Sequence, residues 1–123
     1  MLGLHVTAVH AGEARFELEV DLRRHANPMG TLHGGVLSAL ADSAMGFAYA
    51  TLLAEDETFT TLELKINYLK PVWSGRLYAM GRVVKHGRTL GLTECDITDE
   101  TGSLVARASS TCMTLRGDVA AGR

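Results

Sequence analysis

The sequence is short of the residues that mark most specialised classes of small protein. It has two Cys and two Pro in 123 residues. Neither sign of charge prevails: 12 Lys and Arg stand against 14 Asp and Glu, a net of −2. Cys95 and Cys112 have no CxxC spacing and no neighbouring ligand cluster. That argues against a disulfide framework and against any metal site, and leaves two reduced, buried thiols in a cytoplasmic protein. The balanced charge offers no basic surface to nucleic acid. There is no internal repeat, no low-complexity tract, and no GxSxG, Walker loop or HExxH. The start lacks a basic stretch followed by an apolar run, so no signal peptide is expected. Residues 36–54 approach the roughly 20 residues that span a membrane. They carry Asp42 near the centre, with Ser38, Ser43, Gly46 and Thr51, and no basic flanks. No membrane association is expected. With so little linker material, one domain is expected over residues 1–117, followed by a small polar tail, 118–123, expected to be disordered.

What is present reads as globular: 46% hydrophobic and 21% charged residues. The charge is unevenly spread. Residues 26–54 contain one formally charged side chain, Asp42; the other 25 (26 − 1) lie elsewhere. Within that gap a helix is expected over 34–53. Val36, Leu37, Leu40, Ala41, Ala44, Phe47 and Ala48 form its wide apolar face. The opposite face takes Ser38, Asp42, Met45, Gly46, Tyr49 and Leu53. A helix without a charged side is normally buried all round.

Around the helix the pattern has period two. Phe16, Leu18 and Val20 alternate with Arg15, Glu17 and Glu19, and residues 3–10 pair back through Gly12. Residues 58–70 set Leu62, Leu64, Ile66 and Tyr68 against Glu63, Lys65 and Asn67. Runs at 76–86, 88–98 and 103–115 follow across short turns, which predicts an antiparallel meander. The class is therefore α+β. One helix covers only one face of one sheet, so a partner subunit is expected.

Three features suit chemistry. A lone carboxylate in an uncharged stretch is costly to bury, and such groups tend toward catalytic roles; Asp42 is otherwise a carboxylate bonding a nearby loop. His33-Gly34-Gly35 opens the helix, where unpaired N–H groups and the dipole favour a carbonyl that becomes an oxyanion. An ordinary Gly-rich helix entry is the plainer reading. Gly34 and Asp42 are about 12 Å apart along the axis, too far to share one carbonyl within a chain. Lys85, Arg88 and Thr89 place two cations at a hairpin suited to a phosphate, or simply to solvent. His5, His10 and His25 form no ligand pattern. Ser38 and Ser43 lack a His-Asp relay by sequence order.

Together these segments resemble the hotdog-fold acyl-CoA thioesterases of the phenylacetate-pathway type. The resemblance rests on Asn27-Pro28-x-Gly30-x-Leu32-His33-Gly34-Gly35 and Leu40-Ala41-Asp42-x-Ala44. It continues through Thr60-Thr61-Leu62, Asn67-Tyr68-Leu69-Lys70-Pro71 and Gly87-Arg88-Thr89, and so covers nearly the whole chain. It implies a long central helix wrapped by a five- to six-stranded antiparallel sheet. It also implies a homodimer with a continuous sheet, usually paired into a homotetramer, with active sites at the dimer interface. Asp42 would be general base or nucleophile, and the Gly34 N–H would polarise the thioester carbonyl. Asn27 and His33 would orient water or the carbonyl, and Thr61 would place a hydroxyl near the water. Gly35, Lys85, Arg88 and Thr89 would bind substrate, the last three through the CoA phosphates. No cofactor is implied. The substrate would be an aryl or medium-chain acyl-CoA, or the same acyl group on a carrier protein. Tyr49, Met45, Phe59 and Trp73 are candidates for its pocket. Two other readings stay open: a non-catalytic acyl-CoA binder, and an enoyl-CoA hydratase or dehydratase, although the His motif of the latter is absent.

Overall fold

The computed structural model describes residues 3–117; the expected tail at 118–123 lies outside them. Six strands and two helices run in the order β1 (His5–His10), β2 (Glu13–Glu19), α1 (Leu22–His25), α2 (Gly34–Ala50), β3 (Glu57–Tyr68), β4 (Arg76–His86), β5 (Leu90–Thr98) and β6 (Leu104–Arg116). All six strands form one antiparallel sheet in the order β1-β2-β4-β5-β6-β3, with α2 across one face. This is the hotdog arrangement that the resemblance implies.

Strand pairing departs from the expected meander in one respect. β4, β5 and β6 follow one another, but β3 pairs with β6 at the far edge rather than with β4. Alternation tells which face a residue takes, not which strand lies beside it. α1 was not expected: a single turn, Leu22–His25, is too short for helical periodicity. It is held by Asp21, whose Oδ1 accepts the Arg23 N–H at 3.0 Å.

The core lies between α2 and the sheet. Leu18, Leu40, Ala41, Ala44, Leu77, Ile97 and Val105 are fully buried there. Gly81 on β4 sits directly beneath the helix: a Cβ on it would lie 2.4 Å from the Ala44 carbonyl. Only a residue without a side chain lets the strand and helix backbones approach so closely.

The faces of α2 differ from the expected wheel. Met45 and Tyr49, assigned to the far side, are fully buried, whereas Phe47, assigned to the core, is half exposed. The β4–β5 hairpin explains Tyr49. It folds over the last turns of the helix, where the Tyr49 ring meets His86 edge-on at 5.2 Å. A Cβ on Gly91 would come within 2.3 Å of the same ring. The side of α2 bearing Asp42, Phe47 and Ala50 is left open in the single chain. It flanks β3, an edge strand of 12 residues.

Candidate active site

The loop before α2 is tied by its own side chains. Asn27 Oδ1 accepts the Met29 N–H at 3.0 Å and the Thr31 N–H at 3.2 Å. Its Nδ2 donates to Thr31 Oγ1 at 2.8 Å. The His33 N–H donates to the carbonyl of buried His25 at 2.6 Å, fastening the loop to α1. His33 then caps the helix: its Nδ1 accepts the Gly35 N–H at 2.8 Å, and its carbonyl accepts the Val36 N–H at 3.0 Å. Gly35 thus spends its donor inside the chain. Among the described residues no partner is found for the Gly34 N–H, the first donor of the helix.

Tyr68, at the end of β3, packs against this helix start. Its hydroxyl donates to the Gly34 carbonyl at 3.1 Å and lies 3.0 Å from Ser38 Oγ. Its ring fills the space of a Gly34 side chain, since a Cβ there would be 2.9 Å from the ring. The His33 ring does the same for Gly35, also at 2.9 Å. These glycines are therefore required by their neighbours as well as by any ligand. Tyr68 carries no sequence signal beyond its place within the Asn67–Pro71 segment. A cleft of about 480 Å³ opens here, lined by Asn27, Gly34, Leu37, Tyr68 and Lys70 among others.

Asp42 lies two turns further along α2, on its open side and outside that cleft. Its Oδ1 accepts from Thr61 Oγ1 at 3.5 Å. Thr61 faces the helix because β3 is bulged. Thr61 pairs with Cys112, Glu63 with Thr111 and Leu64 with Ser110, so Leu62 is an extra residue. Strict alternation would turn Leu62 inward beside Leu64 and Thr61 outward. Instead Leu62 is half exposed, and Thr61 joins Leu64, Ile66 and Tyr68 on the helix side.

The remaining candidates lie elsewhere. Lys85 pairs with Leu92 on the sheet face away from α2, beyond a second bulge between Val83 and Lys85. Arg88 and Thr89 are exposed at the tip of the β4–β5 hairpin. The Gly87 N–H closes that turn onto the Leu90 carbonyl at 2.9 Å. The Arg88 carbonyl accepts from the Arg116 guanidinium, and the Thr89 carbonyl from the Thr114 N–H. The hairpin lies at the C-terminal end of α2, opposite Gly34. Of the residues suggested for the acyl pocket, Met45 and Tyr49 belong to the core, while Trp73 is exposed.

The surrounding charges are tied to one another. Arg107 holds the Asp96 carboxyl below its ordinary range, through contacts at 2.7 and 3.3 Å on the outer sheet face. Lys70, 2.6 Å from Asp99, does the same there more strongly, helped by Thr101. Burial pushes the Cys95 thiol up to about 12. Among the described residues no group of three or more His, Cys, Asp or Glu side chains could hold a metal, and no helix is long and apolar enough to cross a membrane.

Comparison with known proteins agrees with this geometry. The thioesterase superfamily matches residues 29–106. A 1,4-dihydroxy-2-naphthoyl-CoA hydrolase from Listeria monocytogenes is 34% identical over 104 residues, covering 85% of this chain and 84% of its own. Human acyl-coenzyme A thioesterase 13 is 32% identical over 112 residues, covering 86% and 77%. Among solved structures, a mutant of the phenylacetic acid degradation protein PaaI from Thermus thermophilus superposes with a TM-score of 0.84. It is 34% identical and covers 91% of this chain and 93% of its own.

Proposed function

This chain belongs to the thioesterase superfamily, and from that premise we propose that it hydrolyses an aryl- or medium-chain acyl-CoA to the free acid and CoA. The observation that carries the proposal is the exposed Asp42 carboxylate. It is the only charge of α2 and lies on the open side of the helix, with the Thr61 hydroxyl as its one protein contact described above. Thioester hydrolysis needs an oxygen nucleophile and a donor for the developing oxyanion. Asp42 supplies the first, either by taking a proton from water or by attacking the carbonyl itself.

The donor is the Gly34 N–H at the positive end of the helix. Eight residues separate it from Asp42, or about 12 Å at 1.5 Å per residue, so one thioester carbonyl does not reach both within a chain. A twofold dimer removes the obstacle by placing Gly34 of the partner subunit opposite Asp42. The unpaired edge of β3 and the open side of α2 are the surfaces such a dimer would cover. Dimers of this kind would pair into a homotetramer. The Arg88 hairpin would meet the CoA phosphates, and the cleft beside Tyr68 has the size and lining for part of the substrate. Asn27 and His33 act here chiefly by shaping the loop that presents Gly34. A cytoplasmic location fits the two free thiols, Cys95 and Cys112.

A panel of acyl-CoA esters, including phenylacetyl-CoA and octanoyl-CoA, read by release of free thiol, tests the function. Asp42→Asn is expected to lose at least about 10²-fold in kcat while still binding CoA. Turnover near that of the unmodified protein in this variant would remove Asp42 from the mechanism. Tight binding of intact acyl-CoA with no thiol released would replace hydrolysis by a binding role.

A further inference from the structure

Behind Asp42 the inner face of the sheet carries a stripe of polar side chains. Thr93 on β5 and Ser110 and Cys112 on β6 are buried in the layer that faces α2. Thr93 Oγ1 lies 2.6 Å from Ser110 Oγ, and Ser110 Oγ lies 3.8 Å from Cys112 Sγ. Cys112 stands directly opposite Thr61 in the β3–β6 register, and both side chains take the face toward α2. Thr61 Oγ1 reaches Asp42 Oδ1 at 3.5 Å. Four small side chains thus lie side by side from the middle of the sheet to the one charged group of the helix. Buried polar groups add little stability over apolar ones of the same shape, so stability alone gives weak reason for the stripe.

The line has a direction. Each of the four side chains carries a single proton, and an ionised carboxylate only accepts. Thr61 therefore donates to Asp42, which leaves its lone pairs toward the S–H of Cys112 opposite it. Burial holds the Cys112 thiol above its ordinary range, which keeps that proton in place. The Cys112 sulfur in turn accepts from Ser110, and Ser110 accepts from Thr93. The Ser110 carbonyl, 3.3 Å away, offers Thr93 a second acceptor. All four dipoles then point at Asp42, and hydrogen bonds in such a chain polarise one another.

We infer that Cys112, Ser110 and Thr93 are positioning residues for thioester hydrolysis. They hold the Thr61 proton on one carboxylate oxygen of Asp42 and so aim the other oxygen at water or the thioester. This rests on the role proposed for Asp42. None of the three touches substrate.

Steady-state thiol release from the unmodified protein, Asp42→Asn, Cys112→Ala, Cys112→Ser and Thr93→Val, with melting temperatures alongside, tests the inference. Cys112→Ala should lower kcat about five- to tenfold with KM within about twofold, the worth of one neutral hydrogen bond. Cys112→Ser restores an O–H at the same place and should recover most of that loss. Thr93→Val keeps the shape and removes only the far end of the line; about a twofold loss is expected. Equal kcat in the Ala and Ser variants would overturn the inference, as would losses that follow melting temperature alone. Should Cys112→Ala not fold, an unchanged kcat in Thr93→Val overturns it equally. An inactive Asp42→Asn beside an unaffected Cys112→Ala defeats the line of residues only. An active Asp42→Asn defeats the assignment on which it rests.

Discussion

Two places on α2, its first turn and its middle, are built in opposite ways. At the first turn the side chains are already occupied. Asn27 is spent on Met29 and Thr31, His33 on Gly35, and Tyr68 on Gly34 and Ser38. What remains to offer is backbone, the N–H of Gly34. In the middle of the helix the backbone is engaged in helical hydrogen bonds, and what is offered is a side chain. Asp42 is exposed and has the Thr61 hydroxyl at 3.5 Å. A backbone dipole and a side-chain charge suit different tasks. A preorganised donor stabilises charge as it develops, without reorganising, whereas a nucleophile or base must stand within reach of its target in the right protonation state.

Substitutions at the first turn test that division most severely at Gly34. Gly34→Ala drives a methyl group into the Tyr68 ring, which would lie 2.9 Å away. The ring must give way, and its bonds to the Gly34 carbonyl and Ser38 go with it. A fall of about 10²-fold in kcat/KM is expected in thiol-release assays, although Ala is the better helix former. Retention of full activity would mean that the packing of Tyr68 against Gly34 does not govern how the first turn meets the substrate.

A smaller effect, of a different kind, is expected at Asn27. Asn27→Ala removes three hydrogen bonds from a partly buried loop. Denaturant unfolding should show a loss of about 1–3 kcal/mol, with kcat falling only as the loop loosens. A large loss of kcat at unchanged stability would give Asn27 a direct role on water or the carbonyl, and would blur the contrast between the two places.

The smallest effect concerns acid. The Asp99 carboxyl is held below its ordinary value first by Lys70 and then by Thr101. A depressed carboxylate contributes stability above its unfolded value, about 3.9, and that contribution fades as pH falls through the folded value. Asp99→Asn should therefore flatten the loss of melting temperature below about pH 4 and leave activity at neutral pH unaltered. An altered neutral rate would tie this turn to the site, through the neighbouring Lys70 of the cleft.

Much of this architecture was legible in the sequence because period-two alternation and a glycine-led helix leave strong marks. The strands at 76–86 and 103–115, and the helix start at Gly34, agree closely with the structure. The misreadings have common causes. On a helix that is apolar throughout, a wheel has little to orient it. Tyr49 lies only about 20° from Asp42 around the axis, yet it is buried, because a distant hairpin covers that end. The sequence pattern puts β3 next to β4 because neighbours in sequence usually pair. Thr61 is a candidate only through the resemblance, since its own alternation points it away from the helix. The buried stripe behind it was visible as polar residues at every second position, Ser110, Cys112 and Thr114, but small residues in a strand carry no mark of what they touch.

The bulge at Leu62 has a consequence for how this chain tolerates changes of length. Thr61 and Tyr68 are seven steps apart, an odd number, yet they share a face because one residue between them is uncounted by β6. Removing Leu62 or Glu63 restores plain alternation and leaves Thr61, Leu64, Ile66 and Tyr68 facing α2. Removing Leu64, or Lys65 after it, keeps the two ends in place only by turning Glu63 into the core. The strand thus contains one short interval where a residue is spare and a longer one where none is. Natural or engineered length variation in β3 should collect in the first and avoid the second.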